Sequence, residues 1–174
     1  VRGLEQEHTE APYLSQVRNC VIVSNAAPYG GGMAMVSCEN VVMEHNRARE
    51  WGGGLYLGAA YRSRIANNAA NTAGGAYAVA MSNCMIVGNS AAYEGGGVVG
   101  GWSSLLDSCT VVGNSAAICG GISRATAHNS LLYYNTAVTY PNFAPAGLYL
   151  GSYLYFSCST PPAEGTHGIN HVRN

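Results

Sequence analysis

Lysine is absent from this chain, aspartate occurs once, at Asp107, and charged side chains amount to 10% of the sequence, against about 25% in ordinary globular domains. An α-helical domain with a solvated polar face is hard to build from so few charges. All eight basic residues are Arg, and the net charge is −1. That argues against a nucleic-acid binder, whose affinity needs clustered Lys and Arg to neutralise phosphates. No apolar run approaches the roughly 20 residues of a membrane-spanning helix, because Gly, Asn or Ser interrupts each within a few positions. Disorder is excluded by 48% apolar content at almost zero net charge, the reverse of the disordered signature. The six cysteines, Cys20, Cys38, Cys84, Cys109, Cys119 and Cys158, show no CxxC or Cys/His spacing for zinc. Their number suits an oxidising compartment. The chain opens at Val1 with no signal-peptide pattern, so a processed chain or a fragment is expected.

What the 174 residues do contain is 23 Gly and an internal repeat. The segments NCVIVSN, NVVMEHN, RSRIANN, NCMIVGN, SCTVVGN and NSLLYYN align without gaps and end on Asn25, Asn46, Asn68, Asn89, Asn114 and Asn135. Two residues after each stands Ala: Ala27, Ala48, Ala70, Ala91, Ala116 and Ala137. Six after the first five comes a Gly pair, beginning at Gly31, Gly52, Gly74, Gly95 and Gly120. A period of about 21 residues signals a stacked architecture.

Each column has a physical reading. Three before the Asn the residue is large and apolar (Ile22, Met43, Ile65, Ile86, Val111, Leu132), and five before it stands Cys, Val or Ser. Being two apart, these columns share one strand face, expected to point inward. The Asn column is expected to take the left-handed turn at the strand end and to bond amide to amide between layers. Ala is expected at a tight inward corner, and the Gly pair where backbone layers approach at the start of the next strand.

Short strands and turns repeating at this period predict an all-β chain, a right-handed parallel β-helix of about six coils with ~4.8 Å per layer. Residues 1–18 read as an N-terminal extension or cap, 19–137 as the repeats, and 138–174 as a Tyr- and Pro-rich last coil and cap. Four extra residues between Asn89 and Asn114 are expected to bulge near Gly100 to Ser104.

The NCxIVGNSA stretches followed by GGG resemble the right-handed β-helix repeats of bacterial surface and secreted proteins, among them polymorphic outer-membrane and autotransporter-type passengers. The likeness covers roughly residues 19–170. It implies an extracellular or cell-surface location and leaves function open, because a fold hosts unrelated activities.

β-Helices also carry polysaccharide lyases and hydrolases, whose chemistry needs paired carboxylates or a base beside metal-bound acids. One Asp, eight Glu and no Lys supply little of this, and no catalytic residue, metal site or cofactor is expected. The densest charge cluster places seven charges between Glu39 and Arg64. Glu44, Arg62 and Arg64 within it are a candidate polar binding patch, or a solvated ion-pair network. Tyr149, Tyr153 and Tyr155 form a candidate aromatic interface, suited equally to a cap, a partner or a sugar. Cys84 and Cys109 share the inward column on consecutive coils, compatible with a disulfide or with stacked thiols. Among the histidines only His167 and His171 have a ligand-like spacing. The leading expectation is a non-enzymatic structural or adhesive β-helix associating head to tail with copies of itself into a filament. The alternative is a carbohydrate-binding or polysaccharide-degrading module.

Overall fold

The structure is a computed structural model that describes residues 15–101, 104–145 and 147–159. Its strands are all parallel and form a β-solenoid of about six turns, with no helix among the described residues. The first sheet stacks Ser15–Arg18, Met33–Glu39, Leu55–Tyr61, Ala76–Ser82, Leu105–Asp107, Thr126–His128 and Tyr153–Tyr155. The second stacks Val21–Val23, Val42–Glu44, Arg64–Ala66, Met85–Val87, Thr110–Val112, Leu131–Tyr133 and Cys158–Ser159. The third holds Ala26–Tyr29, Arg47–Trp51, Ala69–Thr72 and Ser90–Glu94, and continues as single bridges through Ser115 to Thr136.

The inward columns are where the repeat puts them. Met43, Ile65, Ile86, Val111 and Leu132 are fully buried, as are Val41, Cys84 and Cys109 in the column beside them. The first sheet adds Leu55, Ala76, Val98 and Ile122 from its strand starts, and Cys38, Ala60, Met81 and Leu106 from its ends. Identical positions one layer apart therefore stack along the axis. Their burial at roughly 25 cal/mol per Å² is the main stabilising term, because so small a coil has no core of its own.

Two expectations need correction. The Asn column does not carry the left-handed residue: positive φ falls one position earlier, at Ser24, His45, Asn67, Gly88, Gly113 and Tyr134. That residue swings the chain, leaving the next one to turn its amide into the coil. Nor does Ala mark a corner. It lies within the third sheet, where Ala27 pairs with Ala48 and Ser90 with Ala69 beside it. The side chains there are half-buried to buried.

The Gly pairs also shift register. The stacked glycines are Gly31, Gly53, Gly74, Gly96 and Gly120, followed by Gly32, Gly54, Gly75, Gly97 and Gly121. The pairs beginning at Gly52 and Gly95 are displaced by one because the strands Arg47–Trp51 and Ser90–Glu94 each carry a bulge residue. An alanine at Gly74 would place its Cβ 2.3 Å from the Ser90 carbonyl oxygen of the next layer, so only Gly fits there. The bulge in Ser90–Glu94 also accounts for one of the four extra residues. The other three enter between Val98 and Leu106, where the offset to the strand below grows from 22 residues to 25.

Ser15–Arg18 pairs with Val36–Glu39, while Tyr153–Tyr155 pairs with Thr126–His128 and Cys158 with Leu131.

Candidate functional site

The Asn column forms a ladder through the solenoid. Each of Asn25, Asn46, Asn68, Asn89 and Asn114 donates its backbone N–H and its side-chain amide to the Oδ1 of the next Asn, at 2.9 to 3.2 Å. Asn135 closes the series on Asn142, seven residues on, which stands one layer beyond Gly121. A second amide hydrogen reaches a carbonyl of the layer behind, as from Asn89 to Ile65. These buried amides are satisfied, and their role is structural.

Glu44, Arg62 and Arg64 lie on the outer side of the coil. Arg64 pairs diagonally with Glu44, and Arg62 pairs with Glu39, which Arg18 also approaches at 3.3 Å. Arg62 stands in a left-handed corner otherwise held by Asn19, Asn40, Asn83, Ser108 and Asn129. The three residues belong to a partly exposed ion-pair chain, and Arg62 and Arg64 also border an open groove of about 440 Å³ with Asn83, Cys84 and Met85.

Cys84 and Cys109 meet as stacked free thiols, buried on adjacent layers. Their mutual hydrogen bond, with burial, pushes the Cys109 thiol well up, and the same bond lowers Cys84. Burial raises two further thiols that the sequence did not mark. Cys38 is pushed up to about 11 and Cys119 likewise to about 11, in each case despite a hydrogen bond to a serine.

The tyrosines part company. Tyr155 packs on His128 with ring centroids 4.9 Å apart, whereas Tyr149 is exposed above Arg124, whose guanidinium lies 5.8 Å from its ring centre. Tyr153 faces the same side. His167 and His171 lie outside the described residues.

Two groups escaped the sequence reading. Tyr29, Trp51, Tyr56 and Tyr77 stack at one corner, with Trp51 and Tyr77 nearly parallel at 5.1 Å. Mutual stacking covers their faces, which suits a stabilising ladder. Farther along, Glu94 takes the column of Trp51 and Thr72. This buried carboxylate accepts from the Ser123 hydroxyl at 2.5 Å and from an Arg124 terminal nitrogen at 3.1 Å. Arg124 stands in a left-handed corner, φ 52°, and its Nε is buried without a hydrogen-bond partner. Arg124 borders an open groove of about 430 Å³ shared with Gly101, Ser104, Thr126, Tyr149 and Tyr153. A signal existed for it: Arg124 is isolated from every other charge in sequence, and the strand-breaking segment Gly100 to Ser104 lies one coil before it.

A family model described as periplasmic copper-binding protein (NosD) matches residues 3–143. No curated protein and no solved structure matches the chain.

Proposed function

Because the chain belongs to the NosD family of periplasmic copper-binding proteins, a family of right-handed β-helices, we propose that it is an exported, non-catalytic structural β-helix of the cell envelope that packs against copies of itself. One observation carries the non-catalytic part: every described carboxylate already faces a partner. Glu39 meets Arg18 and Arg62, Glu44 meets Arg64, Glu50 meets Arg49, Glu94 meets Arg124, and Asp107 accepts from Asn129. Glycoside chemistry needs two carboxyls flanking one substrate bond, and these five are dispersed among cations and an amide.

The outer column of the second sheet supports self-association. Val21, Val42, Arg64, Met85, Thr110 and Leu131 stand in register with one charge among them. Val21, Met85 and Leu131 are exposed. A net charge of −1 sets no electrostatic barrier between copies. The two ends of a solenoid differ, so end-to-end contacts would be heterologous and grow into filaments. Light scattering after size exclusion, with negative-stain imaging, tests the reading. Concentration-dependent rods or multimers are expected, and monomers at every concentration would overturn it.

Copper needs a suitable donor set: thiolate and thioether for Cu(I), imidazole with oxygen or nitrogen for Cu(II). Among the described residues no three His, Cys, Asp or Glu side chains converge. His45 is exposed in a turn, His128 packs on Tyr155, and Cys84 with Cys109 makes a two-sulfur pair whose proton on Cys109 is strongly held. The described residues do not fit a copper centre, and no part of the proposal passes through the metal.

A further inference from the structure

We propose that the groove beside Arg124 is a binding site for a carboxylate-bearing saccharide, a uronic acid unit of an acidic polysaccharide. The site is built by two departures from the repeat. In three successive coils the first-sheet strand runs unbroken over seven residues, as in Leu55–Tyr61. In the fifth coil it splits into Val98–Val99 and Leu105–Asp107, and two coils later the chain leaves the sheet again before Tyr153. Arg124 sits between these interruptions, with Ser104 from the first and Tyr149 and Tyr153 from the second on the groove wall.

The chemistry of the wall selects the ligand. Guanidinium offers five N–H donors in a planar fork that matches a carboxylate. Glu94 occupies one terminal nitrogen and, fixed in turn by Ser123, holds the side chain in place. The side chain remains 30% exposed beside the groove, so the fork is not closed off within the protein. Tyr149 lies beside the guanidinium with its ring exposed, an apolar face with a polar tip of the kind that stacks on a sugar ring. Ser104 and Thr126 bring hydroxyls for the sugar's own. A small inorganic anion would use the guanidinium alone, whereas a uronic acid uses the ring and the hydroxyls as well. Gly100 lets the preceding layer close up against the Arg124 corner, since a Cβ there would meet the Arg124 carbonyl oxygen at 2.0 Å.

Calorimetric titration of the whole chain with trigalacturonic acid, with the neutral galactose trimer of the same linkage and with sulfate tests the assignment. The acidic trimer should bind at least tenfold more tightly than either other probe. Arg124→Gln should lose that preference, Arg124→Lys should restore part of it, and Tyr149→Ala should weaken the acidic trimer about tenfold. Tyr149 is exposed, so its variant keeps the assignment testable if an Arg124 substitution disturbs folding. Equal binding of acidic and neutral trimers, sulfate binding as tightly as the trimer, unchanged affinity in Tyr149→Ala, or no binding at all would each overturn it. Oligomeric state is read separately, so the structural proposal stands or falls on its own measurement.

Discussion

Asn68 donates its backbone N–H and its side-chain amide to the single Oδ1 of Asn89, at 2.9 and 3.0 Å, across 21 residues of sequence. The pair lies fully buried in mid-ladder. Asn89→Ala should leave buried donors of Asn68 unsatisfied and cost about 2–4 kcal/mol. Asn25→Ala, at an exposed position of the same ladder, should cost less than about 1 kcal/mol. Urea unfolding midpoints of the two variants check the contrast, and equal losses would mean the ladder is not the stabilising element.

Glycine does two separate jobs. At Gly74 a Cβ would strike the Ser90 carbonyl oxygen of the neighbouring layer, while at Gly113 nothing lies within 4 Å and only φ +64° is demanding. Gly113→Ala should therefore cost about 1 kcal/mol. Gly74→Ala forces backbone layers apart and should cost several times as much, or prevent folding, as thermal melts followed by circular dichroism will register.

Thiol ionisation sets a limit at high pH. Cys38 and Cys119 are raised from 9.0 to about 11 in the folded chain. Below pH 9 both states keep these protons, so the two thiols give no pH dependence. Above it the unfolded chain releases them first, and stability falls as pH rises from 9 to 11. Replacing both by Ala should flatten that slope in denaturation profiles across this window.

Accessibility follows the same burial. Cys20 is exposed and Cys158 half-buried, whereas Cys38, Cys84, Cys109 and Cys119 are buried. At pH 8 a chromogenic disulfide reagent should titrate Cys20 quickly and the four buried thiols only after unfolding. Cu(I) competition against a chelator should give the same stoichiometry for the wild type and for Cys84→Ser with Cys109→Ser. A loss of one copper would restore a metal role to that pair.

The outer ion pairs should matter little. Arg64 and Glu44 are both partly exposed, and surface pairs typically contribute about 0–1 kcal/mol. Glu44→Gln should move the midpoint by no more than that, with a smaller difference still in high salt. A loss of several kcal/mol would show that the chain of Arg62, Glu39 and Arg18 acts cooperatively.

Much of the fold was legible because a solenoid writes its geometry into the sequence at a constant period. Ile65, Ile86 and Val111 had to stack once their columns aligned, and burial decided the rest. The errors came from the same source. Alignment on Asn holds the Gly pair six residues beyond it in every coil, so a bulge in Arg47–Trp51 and another in Ser90–Glu94 displace two Gly pairs by a residue. A one-residue bulge leaves no composition signal, since it is a property of strand pairing. Propensity points to Asn for the left-handed residue, whereas the ladder requires that amide to face inward, and the residue before it takes the turn.

The sequence by itself determined the solenoid, its period, the buried columns and the amide ladder, because each depends on residues repeated layer after layer. Only the tertiary structure decided the Arg124 groove. Glu94, Ser123, Arg124 and Tyr149 each occur once against the repeat, in three different coils, and no periodicity links them. They meet because stacking brings positions 94, 124 and 149 onto neighbouring layers, where a buried carboxylate orients a guanidinium beneath an exposed ring.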